Sequence, residues 1–215
     1  MHKTSIFAVL YLGLLWSSGC SNLQGSDQGG FTYQNLPVAT ESVISGEGST
    51  ILFRGTPLPL SGKGIRVGDS LRAVFLTRFD LSMILLAEAP GSVRVISVVP
   101  SIDTKVCEQQ THYLSEKNQG LDQRVRLITI SIDTPFAQQR FAKEALISNV
   151  EFLSDYREAQ FGKTHGLFLE GPHVLSRAIM VVDAMNVIRH LQVTPDLGQL
   201  PDMEKAFQMA QSLIQ

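Results

Sequence analysis

Val93 to Val99 is a largely β-branched run closed by Pro100, the pattern of a buried strand. Helical spacing takes over at once and predicts a helix over Val106 to Lys117, with Tyr113 and Leu114 inward and Asp103 or Thr104 as N-cap. Further strands are expected at Leu71–Thr77, Val125–Ile132 and Val150–Leu153, and a short apolar element at Leu81–Leu86. Ile51–Phe53 and Leu58–Leu60 flank Arg54-Gly-Thr-Pro57 and read as a hairpin, as do Val174–Val182 and Val187–Val193 around Asp183-Ala-Met-Asn186. Pro135 opens a helix running to Ile147, and Ala159–Thr164 suits a helical turn. Met203, Phe207, Ala210 and Ile214 share one face of a last amphipathic helix. Strands alternating with helices, then a hairpin and a helix, predict an α/β domain: a sheet with helices on both faces.

The first residues break this pattern. A small basic start, an apolar run from Ile6 to Trp16 that is too short to span a bilayer, and Ser17-Ser18-Gly19 form an export signal over residues 1–19. Gly19-Cys20 resembles the end of a bacterial lipoprotein signal, in which the cysteine is lipidated, although Ser17 stands where leucine is usual. An ordinary cleaved signal is the alternative. Either way the chain is exported. Lipidation would hold it at a membrane facing the periplasm, and Ser21 favours the outer membrane. Residues 20–48 are rich in Gly, Ser, Gln and Asn and predict a flexible tether. Phe31, Tyr33 and Leu36 leave open that part of it packs on the domain, which is expected at 49–215.

Composition adds two limits. Hydrophobic residues at 44% and charged residues at 18% suit one globular core. A net charge of −2 with no Lys/Arg block argues against nucleic acid.

The chain has two cysteines, Cys20 and Cys107. Cys107 falls in the first turn of the helix that follows Pro100. There the free backbone N–H groups and the helix dipole favour an anion, and a thiolate is one. Thr104, one turn upstream, has a hydroxyl able to reach the sulfur. A small buried core residue is the other common fate of a free cysteine. The histidines show no metal-binding spacing, no Gly-rich phosphate loop is evident, and no cofactor is implied.

Pro100-Ser-Ile-Asp-Thr-Lys-Val-Cys107 resembles the active-site loop of the thiol peroxidase branch of the peroxiredoxins. Phe53–Leu60 resembles that branch's N-terminal β-hairpin, Ser131–Phe141 its next strand-to-helix segment, and Ser176–Asp183 the strand that carries its arginine. The likeness runs from Ser49 to Gln215. It implies a thioredoxin-like fold, with a central mixed sheet and an N-terminal β-hairpin, and reduction of hydrogen peroxide or organic hydroperoxides by one peroxidatic cysteine. Cys107 would be the nucleophile and Thr104 would hold sulfur and peroxide. Arg177 would stabilise thiolate and transition state, and Pro100 would shield the sulfenic acid. Read alone, Arg177 suits a surface ion pair and Pro100 a strand terminator.

Two departures matter. The family's resolving cysteine would follow Arg140-Phe141, where this chain has Ala142, so an external thiol or a thioredoxin-like reductant is expected to complete turnover. Lys105 replaces a small residue or proline at the pocket entrance. A homodimer is possible. The competing readings are a thioredoxin-fold lipoprotein that binds a partner or senses oxidation without turnover, and a structural thiol joining two chains.

Overall fold

The computed structural model describes residues 30–88 and 91–215. The chain divides into two compact units, Met1–Gly30 and Phe31–Gln215, and the fold is that of the second. The expected export signal and Cys20 lie outside the described residues.

A seven-stranded mixed sheet forms the centre. Its strands are β3 (Phe75–Thr77), β4 (Met83–Leu85), β5 (Arg94–Val98), β6 (Arg126–Ser131), β7 (Glu151–Ser154), β10 (Ala178–Val182) and β11 (Ile188–Val193), in the order β11-β10-β5-β6-β7-β3-β4. β5, β6 and β7 pair in parallel and the outer pairings are antiparallel. Parallel neighbours need crossovers. Two helices supply them: α1 (Lys105–Glu116) between β5 and β6, and α2 (Pro135–Glu144) between β6 and β7. β5 and β10 are buried along their whole length, as central strands covered on both faces must be.

Side-chain alternation sorts the core into two layers. Val95, Leu127, Ile179 and Val181 pack with Leu114 of α1, Ala142 of α2 and Phe207 of α4 (Met203–Ser212). Ile96, Ile128, Met180 and Val182 pack on the other face with Phe161 of α3 (Gln160–His165) and with β8 (Phe168–Leu169) and β9 (Val174–Leu175). Helices therefore cover both faces, as the alternation of patterns predicted. Local sequence fixes the helix ends. Thr134 caps α2 by accepting from the Ala137 N–H, with Pro135 in the first turn, an arrangement worth about 1 kcal/mol. Asp202 caps α4 by accepting from Lys205.

Three strand segments differ from the sequence reading, and so does the stretch before the first hairpin. The first hairpin turns at Arg54-Gly55, both with positive φ, so β1 (Thr50–Phe53) meets β2 (Thr56–Pro59) directly and Pro57 lies in the strand. A two-residue turn of this hand matches strand twist better than the four-residue turn expected. Leu71–Thr77 is a strand only from Phe75, although Leu71 and Val74 are buried. Val174–Val182 is not continuous: β9 and β10 are separated by Ser176-Arg177, because β9 pairs with β8 rather than within the large sheet.

The expected tether differs most. Residues 31–48 lie against the domain rather than free of it. Ala39 is buried and donates to Leu200 O, while Val43 donates to Val193 O. Gly46 donates to Gly166 O, at a contact so close that a Cβ on Gly166 would lie 2.5 Å from the Gly46 Cα. Phe31 stacks on His112 with ring centroids 4.0 Å apart, and Tyr33 donates to Glu116. The polar composition that suggested a tether is used in hydrogen bonds: Gln34 and Gln109 bond reciprocally, and Ser45 bonds Ile65 in both directions.

Candidate active site

β5 runs into Pro100, which is buried, and the loop 100–104 turns into α1. Asp133, from the segment after β6, holds this loop. Its carboxylate accepts from Ser101 Oγ at 2.7 Å and from the Ile102 N–H at 2.8 Å. Thr104 occupies the N-cap position of α1 with extended backbone, yet its side chain caps nothing. Its Oγ1 lies instead 2.9 Å from Cys107 Sγ and 3.3 Å from Ser101 O. An N-cap threonine ordinarily gives its oxygen to the helix, so here stability is exchanged for a donor on sulfur.

Cys107 is fully buried in the first turn of α1. Arg177 approaches it from the break between β9 and β10. A residue inside a regular strand would be fixed by the pleat, whereas the interruption lets this side chain reach across to α1. Arg177 is 2% exposed. Its Nε and Nη2 donate to Leu197 O at 3.1 and 2.9 Å, Nη1 donates to Gln110 Oε1 at 2.7 Å, and Nη2 lies 3.4 Å from Cys107 Sγ. No carboxylate pairs with Arg177 among the described residues. A buried cation held only by neutral acceptors is costly, and the group within reach that can become an anion is the thiol.

Gln110 and Asp133 were not singled out in the sequence. Gln110 sits one turn after Cys107, and its amide bridges Ser97 Oγ, Ala178 O and Arg177. Its spacing from Cys107, three positions along one helix face, was a readable signal. Asp133 stood inside a quoted motif without an assigned task. Leu197 acts through its backbone and leaves no trace in residue type.

A cavity of about 680 Å³ adjoins Thr104 and Arg177. Phe53 and Leu58 of the first hairpin, Val106, Val174 and Leu197 make its walls largely apolar, and Pro100 borders it. Arg54, Lys105 and Asp196 bring charge to it. Thus Pro100, Thr104, Cys107 and Arg177 converge on one place. Arg140 and Ala142 border a different groove, with Phe79 and Phe136. No cluster of three His, Cys, Asp or Glu side chains suited to a metal occurs among the described residues.

The redoxin family profile matches residues 66–207. A thiol peroxidase of Halalkalibacterium halodurans is 37% identical over 166 residues, 77% of this chain and 99% of that protein. This chain belongs to the redoxin family, in its thiol peroxidase branch. A thiol peroxidase of Oceanobacillus iheyensis is 40% identical over 73% of this chain and 94% of its own length. Among solved structures, a peroxiredoxin-like protein from Aquifex aeolicus superposes with a TM-score of 0.72 at 30% identity, covering 77% of this chain and 97% of that one. This chain has the redoxin fold: the sheet and helices described above, with the small antiparallel hairpin at its N-terminal side.

Proposed function

We propose that this redoxin is a thiol-dependent peroxidase that reduces hydroperoxides through Cys107, and that an external thiol completes its cycle. The observation that carries the site assignment is the buried Arg177, without a carboxylate partner among the described residues, 3.4 Å from the buried Cys107 sulfur. The family and its thiol peroxidase relatives support the activity.

The steps follow from what each group can do. The thiolate is the form that attacks, and the Arg177 guanidinium and the first turn of α1 both face the sulfur that carries its charge. The sulfur attacks the distal oxygen of the hydroperoxide, an S–O bond forms as the O–O bond breaks, the proximal oxygen departs, and Cys107 becomes a sulfenic acid. The departing oxygen carries negative charge and takes up a proton to leave as alcohol or water. Donors must be aimed where that charge develops. Thr104 has one proton to give and two acceptors in reach, so it can pass from sulfur to a peroxide oxygen. Arg177 has five N–H hydrogens, of which its protein and sulfur contacts occupy four, which leaves one Nη1 hydrogen for substrate. Gln110 and Leu197 O hold the guanidinium in place. Pro100 closes one side of the cavity and limits solvent at the sulfenic acid.

A sulfenic acid is released by condensation with a thiol. Cys107 is the free cysteine of the described residues, and Ala142 stands where the family's resolving cysteine is expected. The second half-reaction therefore draws its thiol from outside the domain. The same reading places the enzyme outside the cytoplasm, held at a membrane through lipid on Cys20. The support is the run of apolar residues from Ile6 and the Gly19-Cys20 pair.

The test of function is peroxide consumption by the full chain with thiol present, against a Cys107→Ser variant. Loss of activity in the variant is expected; equal activity in both would remove the assignment.

A further inference from the structure

The segment Phe31–Leu36 precedes both the resemblance, which starts at Ser49, and the family match at residue 66. It lies along the helix that carries the reactive sulfur. Gln34 N–H donates to Gln109 Oε1 at 2.8 Å, and Gln109 Nε2 returns a bond to Gln34 O at 2.9 Å. Phe31 stacks on His112 with its ring tilted only 13°, Tyr33 packs edge-on against Tyr113, and Tyr33 Oη donates to Glu116 at 2.8 Å. Lys117 sits over the Tyr33 ring. The strap thus grips α1 from Gln109, two residues past Cys107, to its last turn. From the other side Gln110 ties the same helix to Ser97, Ala178 O and Arg177.

Cys107 Sγ is fully buried, so any thiol that is to reduce its sulfenic acid must come in or the helix must open. Opening the first turn of α1 past Cys107 would break the paired bonds to Gln34, at about 1 kcal/mol each, along with the Gln110 contacts. Coming in requires a way past the groups that cover the sulfur. The cavity of about 680 Å³, within the range that houses small ligands, stops at Thr104 and Arg177, the two side chains that touch Sγ, so a small thiol held there needs those side chains alone to shift. A thiol carried on a folded protein would have to bring its surrounding surface into the same cavity.

We propose that the reductant of Cys107 is a low-molecular-weight thiol that enters through the cavity bordered by Phe53, Leu58 and Leu197, and that the Phe31–Leu36 strap keeps α1 wound so that protein thiols are excluded. The proposal rests on the peroxidase reading above and names its second substrate. The chemistry balances with two thiols of one class. The first condenses with the sulfenic acid, forming an S–S bond to Cys107 and releasing the oxygen as water. The second attacks the small-molecule sulfur of that mixed disulfide, and Cys107 leaves as thiolate. Two thiols are oxidised to one disulfide for each hydroperoxide reduced.

The experiment separates the two half-reactions on the full chain. One equivalent of hydrogen peroxide is added, and intact mass establishes the sulfenic acid at Cys107. Its disappearance is then timed with cysteine, glutathione and a bacterial thioredoxin at equal thiol concentration. The small thiols are expected to act faster by an order of magnitude or more and to leave a mixed disulfide on Cys107. In a Phe31→Ala/Gln109→Ala variant the thioredoxin rate should rise towards theirs, while sulfenic acid formation keeps its wild-type rate. Amide hydrogen exchange over α1 shows independently whether the strap was loosened. Thioredoxin matching the small thiols in the wild type, or failure of both small thiols on a sulfenic acid that has formed, overturns the proposal. Unchanged exclusion of thioredoxin in a variant whose α1 exchanges faster overturns the strap's part in it. Failure of Cys107 to form the sulfenic acid at all is a different result and overturns the peroxidase reading itself.

Discussion

Gln110 Oε1 accepts from Arg177 Nη1 at 2.7 Å, so the helix that carries Cys107 also holds the arginine that faces it. The two donor–acceptor ends of one amide serve different partners, since Nε2 goes to Ser97 Oγ and Ala178 O. Gln110→Leu keeps much of the volume and leaves one Arg177 donor unpaired in a buried place. The cost to stability is expected at about 1–3 kcal/mol. Peroxide reactivity of Cys107 should fall as well, because the guanidinium loses its fixed position. Gln110→Glu offers Arg177 a carboxylate in competition with the thiolate. It should retain the fold but lower the rate of sulfenic acid formation. Wild-type peroxide rates in both variants would show that Gln110 does not position Arg177.

Thr104→Val keeps the shape of the side chain and removes its donor. Arg177→Met keeps part of the buried length and removes the charge. Each loses a group aimed at developing charge, worth roughly 3 kcal/mol or a factor of about 100 in rate. Stability should respond differently. Thr104 makes no helix cap, so its loss costs little, whereas Arg177 anchors the Leu197 loop through two bonds. Peroxide kinetics beside urea unfolding checks both halves of the expectation.

His165 gives a pH dependence away from the active site. Its Nε2 accepts from the Arg72 N–H and its Nδ1 faces Phe161 O, the pattern of a neutral ring protonated at Nδ1. Burial, helped by the Arg72 charge, pushes it down to about 4. In the unfolded chain it takes a proton near its ordinary 6.5, so its contribution to stability is complete above 6.5 and is lost as pH falls towards 4. Asp155 acts in the opposite sense. Burial raises its carboxyl to about 6, so its contribution is complete below its ordinary 3.8 and is lost as pH rises through 6. His165→Gln should therefore be less stable than wild type at pH 7, and the gap should narrow at pH 4.5, by an amount on the order of 3 kcal/mol at most. A gap that stays constant between the two pH values in urea titrations would contradict the neutral, buried ring.

Anchoring is tested on Cys20. Metabolic labelling with a fatty acid should mark the protein in its host, and Cys20→Ser should abolish the mark. An unlabelled, freely soluble wild type would favour an ordinary cleaved signal.

Much of the site was legible because it is local. Pro100, Thr104 and Cys107 lie within one strand-to-helix loop, where the strand end, the helix start and the reach of the threonine are all properties of short sequence. The place of Arg177 was not. Only resemblance brought it to Cys107, 70 positions away, and periodicity ran Val174–Val182 together as one strand. The break at Ser176-Arg177 comes from β9 pairing with β8, a choice made by tertiary structure. The strap was misread as a free tether for a related reason. Its hydrogen bonds use Gln, Ser and backbone groups, which look the same in composition whether their partners are protein or water. Phe31, Tyr33 and Leu36 were the residues that argued otherwise, and two of them pack on α1.

A peroxidatic Cys107 made reactive by Thr104 and Arg177 is tested most directly by the rate at which the reduced full chain gains one oxygen at Cys107 from an equivalent of hydroperoxide, followed by quenched-flow intact mass and a dimedone-type probe. Cys107 in the urea-unfolded chain serves as reference under the same reagents. Sulfenic acid at Cys107 is expected in the folded chain, formed faster than in the unfolded reference by several orders of magnitude. A folded Cys107 that reacts no faster than the unfolded one would contradict it.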